Sequence, residues 1–500
     1  MYRRSLTLCL LSIVVVVTFG TSVGTAAAPS RSKGAVKQGF VGTNMDPTEL
    51  LANHVPIDIE LQRAAEAGIE QIRFPVYWGN IQQYPAAKGK APYYDWKRLD
   101  NFIKLASDRG IKLLPTLVGA PVWAKRDLTV SGPSRKRPSV ADPYLRIATT
   151  SSREIKSNVP SAAHIGEYAA FAKALVARYG TGGSFSTARS NPVTVVQVWN
   201  EPDHGKSWPQ VVNGPCLLTS RKPGAPSGGR VVEVRNPRPG VSKCWYTEQK
   251  RVWSYDYLVL LKALRGKAAT RVRGVAVPGT GIIGANPSTK VMLSSFTSSG
   301  ALSLRFLYND IDKFFRSTGA KGFFDIAGVN VYPSSARLVD FGIKLRAFRA
   351  AMNPKVPLYL TEFSWLSGKC LSTDKSCHKL TDVGSLGGIV VTESGQAALA
   401  PQSLATLAGL AKSVPLQGVF WYTWMTSDRS TDKPWEYAGL NCFDCVFKTI
   451  YRTVKGKRKA IRVLNTAIKV RRKESYSSFK TKALALEGCK AKSIATACLR

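Results

Sequence analysis

A chain of 500 residues with 44% hydrophobic and 10% aromatic content has ample material for a large core, and this excludes an intrinsically disordered protein. Its formal net charge of +39 bears on solubility and anionic partners rather than on fold. No segment after Val23 is long and apolar enough to read as a membrane span.

Met1–Arg4 is basic, Leu6–Phe19 is apolar, and Thr25–Ala28 supplies small residues, so residues 1–28 read as a cleavable secretory signal peptide. The rival reading, an uncleaved anchor, is short for a span of about 20 residues. The expected product is secreted, extracellular or wall-associated, with no stable membrane insertion after cleavage. Eight cysteines then remain, in the local pairs Cys216/Cys244, Cys370/Cys377, Cys442/Cys445 and Cys489/Cys498. In a secreted chain such spacing predicts loop-stapling disulfides. Half a zinc site at Cys442/Cys445 is the alternative, but it lacks a matching second pair.

Strand and helix patterns alternate from residue 36 onward. The strands are predicted at Gln38–Asn44, Gln71–Trp78, Lys112–Val118, Val193–Trp199, Arg273–Pro278, Phe324–Tyr332, Leu358–Phe363 and Gly418–Trp424. Helical spacing follows at Ile57–Ala67, Tyr94–Arg109, His164–Tyr179, Val252–Leu264, Phe306–Arg316, Phe341–Ala351, Gln402–Lys412 and Lys459–Ile468. Eight units without an internal linker predict a single α/β domain, a (β/α)8 TIM barrel over residues 36–472. A doubly wound sheet is the main competitor, but GTNMDP after the first strand is no glycine-rich phosphate turn. Long connections at 125–161, 203–251 and 365–395 would wall a cleft at the carboxyl face. Lys448–Arg500 holds 16 Lys or Arg against 2 Asp or Glu, so residues 473–500 are expected to form a basic tail.

VTVVQVWNEP, Val193–Pro202, is an unalternating β-branched run of the kind buried on both faces of a parallel sheet. It ends in Asn200-Glu201, and an ionisable group there is costly unless it lines a cleft. A second carboxylate, Glu362, ends the seventh predicted strand, opposite the fourth across a barrel mouth. Two facing carboxylates are what glycosidic cleavage needs, one to protonate the departing oxygen and one to attack or stabilise the anomeric carbon. Arg73 and Tyr332 are the expected partners of Glu362, and Asn200 is placed to hydrogen-bond a sugar hydroxyl. Trp421 and Trp424, and then Trp78 and Trp123, are candidates for stacking on pyranose faces.

These segments resemble the retaining glycoside hydrolases of clan A. AAEAGIEQIRFPVYW, VWNEPD, FDIAGVNVYP, VPLYLTEFSW and GVFWYTW follow the clan's order and spacing over about Gly39–Trp424, and are similar to families 5 and 39. The resemblance implies Glu201 as acid/base and Glu362 as nucleophile, with Arg73, Asn200 and Tyr332 in support. Many members carry His where this chain has Asn330, a substrate contact in the family pattern.

The expected function is therefore a secreted retaining glycosidase that needs neither metal nor other cofactor; His54, His164, His204 and His378 lack ligand spacing. The alternative is a non-catalytic carbohydrate or cell-wall binder on the same barrel. The basic charge is spread along the chain without a nucleic-acid motif. The partners expected are thus a carbohydrate substrate and anionic wall polymers held electrostatically, and not nucleic acid.

Overall fold

The computed structural model describes residues 35–125, 159–185, 191–202, 259–266, 281–297, 323–333, 337–351, 356–368, 392–428, 434–454, 457–465 and 469–488. It also describes residues 257 and 467 and the strand segments 128–130, 153–155, 217–219, 231–233, 270–272 and 275–277. Eight parallel strands close into a barrel: β1 (Val41–Asn44), β2 (Gln71–Tyr77), β3 (Lys112–Val118), β4 (Val195–Val198), β5 (Lys290–Thr297), β6 (Ile326–Asn330), β7 (Leu358–Phe363) and β8 (Leu416–Trp421). Each pairs with its neighbours in the chain, and β8 returns to β1 with Val41 opposite Val419 and Thr43 opposite Trp421. The nearly unbroken burial of β1, β6 and β7 is what a parallel sheet covered on both faces requires.

Helices α1 (Ile57–Glu66), α2 (Lys97–Asp108), α3 (Ile165–Tyr179), α4 (259–265), α5 (Val339–Ala351), α6 (Glu393–Leu410) and α7 (Glu474–Glu487) follow β1, β2, β3, β4, β6, β7 and β8. Their sequences bury one stripe each. In α1 it is Ile57, Glu60, Leu61, Ala64 and Ala65, and in α2 Leu99, Phe102, Ile103 and Ala106, the spacing of a 3.6-residue period. Gly68 stops α1 with φ +77, and a Cβ there would lie 3.1 Å from Leu484 of α7, so glycine serves both the turn and the close approach.

Three expectations are corrected. Arg273–Pro278 is not the fifth barrel strand, because Val275–Val277 pairs antiparallel with Thr270–Val272 in a separate two-stranded piece. The true β5, KVMLSSFT, was obscured by its polar pair. Ser294 and Ser295 are both fully buried; the Ser294 amide donates to the Tyr257 hydroxyl at 2.6 Å, and Ser295 joins an interior hydrogen-bond net. Second, Lys459–Ile468 is not helical. After β9 (Met425–Thr426) and β10 (Asn441–Phe443), the chain forms an antiparallel hairpin of β11 (Phe447–Val454) and β12 (Lys457–Leu464), then β13 (Val470–Arg472). β-Branched Thr449, Ile450, Ile461 and Val463 favour this pairing over a helix.

Third, the barrel does not stop at Arg472. α7 occupies the stretch assigned to a basic tail and buries Tyr476, Phe479, Ala483 and Leu486. Tyr476 meets Trp424 at 5.9 Å and Phe479 meets Trp421 at 5.7 Å. Its buried Glu487 accepts from the Val41 amide of β1 at 2.5 Å, and Leu486 O accepts from the Ala35 amide at 2.8 Å. Cys442 and Cys445 form a disulfide, with Cα atoms 5.9 Å apart. The other predicted cysteine pairs, the leader, the Phe306–Arg316 helix and most of the three long connections lie outside the described residues. Among the described residues no helix is long and apolar enough to cross a membrane.

Candidate active site

Below the carboxyl ends of the strands, seven of them each contribute an inward polar side chain to one continuous net. These are Asn44, Arg73, Thr116, Gln197, Ser295, Asn330 and Thr361, from β1 to β7 in order, all buried. Arg73 is the hub. Its Nε donates to Gln197 Oε1 at 2.7 Å, Nη1 to Asn44 Oδ1 at 2.6 Å and Glu362 Oε1 at 2.9 Å, and Nη2 to Asn200 Oδ1 at 2.7 Å. Gln197 also takes the Thr116 hydroxyl at 3.0 Å and donates to Ser295 Oγ at 2.7 Å. Ser295 and Thr361 hydroxyls lie 2.6 Å apart, and Thr361 Oγ1 donates to Asn330 Oδ1 at 2.8 Å. A buried guanidinium is tolerable only when its donors are matched this fully.

Glu362, at 5% exposure, stands at the top of this net. Arg73 donates to one oxygen and the Tyr332 hydroxyl to the other at 2.7 Å, so both oxygens are fixed in direction. Burial first, and then the charge of Glu362, push the Tyr332 phenol well above its ordinary value and keep it a donor.

Glu201 is presented differently. Trp199 and Glu201 both take left-handed backbone, at φ +68 and +46, a conformation costing about 1–3 kcal/mol for residues with a Cβ and concentrated at functional sites. Between them Asn200 bridges to Ser295 of β5, and the Glu201 amide donates to Ser295 O at 2.9 Å. This kink brings the Glu201 carboxylate to Asn330, whose Nδ2 donates to Oε1 at 2.7 Å. After burial, the charges of both glutamates raise the pKa of Tyr332 and of Tyr422, so both carboxylates lie close to these two phenols.

The structure thus brings together Arg73, Asn200, Glu201, Asn330, Tyr332 and Glu362. Two of these are corrected in kind. Asn330 is fully buried with both ends of its amide used internally, so it positions Glu201 and is no sugar contact. Arg73, 6% exposed, is committed to Glu362, Asn200 and the net, so it too is a positioning residue. Asn200 keeps the expected capacity: its Oδ1 is held by Arg73, and its Nδ2 hydrogens have no acceptor among the described residues.

The tryptophans fare worse. Phe420 packs inside the barrel with Leu114, Met292 and Ile326, so strand alternation sends Trp421 outward. Trp421 is fully buried against Phe363 and Phe479 and donates to Ala438 O at 2.9 Å; Trp424 is fully buried and donates to Glu60 Oε2 at 2.9 Å. Trp78 is also fully buried, stacked on Tyr168 at 4.9 Å and donating to Gln82 at 2.7 Å. None of these three rings can meet a sugar. Trp123 is half-buried and edge-on to Trp78 and His164. The aromatics beside the carboxylates are instead Tyr422, with its ring 6.4 Å from Tyr332, and Trp435, with its ring 4.2 Å from Tyr332. Counting by twos from Phe420 finds Tyr422; Trp435 lies in a loop and carries no periodic signal. Among the described residues no group of three or more His, Cys, Asp or Glu is arranged to hold a metal ion.

No protein-family model matches this sequence, and no curated protein does. Among solved structures the fold is similar to an Ignisphaera aggregans GH53 catalytic domain, at 17% identity and TM-score 0.45 over 82% of this chain and 92% of that one. It is also similar to a monomeric beta-xylosidase from Caulobacter crescentus CB15, at 16% identity and TM-score 0.47 over 90% and 69%. A beta-glucosidase from Exiguobacterium marinum matches at 12% identity and TM-score 0.46 over 89% and 98%. At such scores the barrel rests on its own strand order and register rather than on these likenesses.

Proposed function

We propose that this chain is a secreted retaining glycosidase working by double displacement. The observation that carries the reading is the unequal setting of two neighbouring glutamates: Glu362 buried and gripped through both oxygens by Arg73 and Tyr332, Glu201 half-buried on a kinked strand end with Asn330 donating to it. A nucleophile must arrive in one orientation, and the two donors supply it. Glu362 attacks the anomeric carbon while Glu201 gives its proton to the departing oxygen. Glu201 then takes a proton from water, which displaces Glu362 and releases the sugar with retained configuration. Asn200 Nδ2 donates to a hydroxyl beside the reacting carbon, and Tyr422 and Trp435 lie beside the carboxylates. This scheme calls for carboxyl groups about 5–5.5 Å apart. Export follows from the basic and apolar leader, and sequencing the N-terminus of protein collected outside the cell tests it.

The deciding experiment is hydrolysis of a panel of aryl β-glycosides and polysaccharides, with product configuration followed by NMR. Retained configuration supports the scheme, and inversion overturns the role of Glu362. Negligible release on every substrate by both wild type and Glu362→Gln, with glycan binding intact, would make the chain a binding protein.

A further inference from the structure

The β11–β12 hairpin is strongly basic. Between Phe447 and Leu464 it carries seven Lys or Arg and no Asp or Glu. Its register sets Arg452 directly opposite Lys459, and Val454 opposite Lys457. Like charges directly opposite each other weaken an antiparallel pair, so ribbon stability does not explain this arrangement. Strand alternation places Lys448, Arg452, Lys457 and Lys459 on one side of the ribbon. Lys448, Tyr451 and Arg452 are exposed, and neither Lys448 nor Arg452 has an acidic partner among the described residues.

The ribbon is also anchored. The Cys442–Cys445 disulfide and the 2.8 Å Lys469–Asp444 ion pair lie at its root, and the Asn465 amide donates to Val446 O at 2.8 Å. It belongs to the same β8–α7 connection that brings Tyr422 and Trp435 to the carboxylates. Charge on two paired strands is held in a set register, as it is not on an unpaired segment.

We propose that this hairpin is a binding arm for an acidic glycan, a polymer bearing carboxylate groups along its length, held electrostatically on the β8–α7 connection. The choice of a glycan over other polyanions rests on the glycosidase reading; the binding itself does not. The site thus lies before α7, on a paired ribbon.

The test is retention on immobilised polygalacturonate, with its methyl-esterified form as the uncharged control and duplex DNA as a competing polyanion. Wild type should bind polygalacturonate, release it as salt rises, and ignore the ester. Combining Lys448→Gln, Arg452→Gln, Lys457→Gln and Lys459→Gln should weaken binding at least tenfold. The same charge removed from the exposed Lys88, Lys90, Lys97 and Lys173 should weaken it less than threefold. Equal losses in the two variants would reduce the effect to diffuse net charge and overturn the arm. Tighter binding of DNA than of polygalacturonate would overturn the glycan. Turnover of a neutral aryl glycoside by the hairpin variant should equal wild type, which separates failure of this proposal from failure of the glycosidase reading.

Discussion

Glu362 and Glu201 sit at the ends of β7 and β4, and the barrel treats them in opposite ways. Glu362 is sunk to 5% exposure in a net drawn from seven strands, with a donor on each oxygen. Glu201 stands half-buried on left-handed backbone, with the buried Asn330 amide donating to one of its oxygens. Rigid reach suits a group that must form a bond at one angle. Looser solvation suits a group that passes a proton out and back. The two carboxylates are therefore distinguishable by their exposure and by the backbone that carries each.

The largest effect should come from the more constrained side. Glu362→Gln preserves shape and removes the proposed nucleophile, and is expected to cut kcat on an aryl β-glycoside by about 10⁴-fold or more; residual turnover above a hundredth of wild type would sink the assignment. Glu201→Gln should cost about 10²–10⁴-fold on a substrate with a poor leaving group and far less on one with an activated phenol. Equal losses on both would contradict proton donation. Asn330→Ala should cost about tenfold, with a signature of its own. Loss of a donor to the ionised Glu201 favours its protonated form, so the alkaline limb of kcat/KM moves to higher pH. An unmoved limb would leave Asn330 with packing alone.

The smallest expected effect separates the scaffold's titration from the site's. Burial opposes ionisation of Asp325, but the hydrogen bonds from Arg265 Nη1 at 2.8 Å and the Val291 amide at 2.9 Å hold its carboxyl below the ordinary value. Glu393 is likewise lowered, with burial outweighed by its pairing with Arg471. A depressed carboxylate contributes stability that is fully present above about pH 4 and is lost as pH falls through the native pKa. Tm should therefore fall below about pH 4, and Asp325→Asn should flatten that fall without moving the pH–rate profile.

The ring of strands was legible because β1–β4 and β6–β8 carry the apolar runs a two-sided burial demands, and Glu201 and Glu362 stand out as charges at their ends. What escaped had interior polarity or edge character. β5 reads as broken because Ser294 and Ser295 are polar, yet the polarity belongs to the net beneath the carboxylates. α7 reads as a basic tail because Lys480 and Lys482 interrupt the stripe of Tyr476, Phe479 and Ala483 that it buries. The tryptophans were misjudged by parity, since one step along β8 turns a side chain from lumen to helix layer.

The bond from the Val41 amide to Glu487 sets an order of events. The first strand of the ring is translated some 440 residues before the carboxylate that completes its hydrogen bonding. During synthesis the Val41 amide has no such acceptor until α7 emerges, and a chain cut short within α7 keeps β1–β8 and both glutamates in sequence while lacking the layer that covers Trp421 and Trp424.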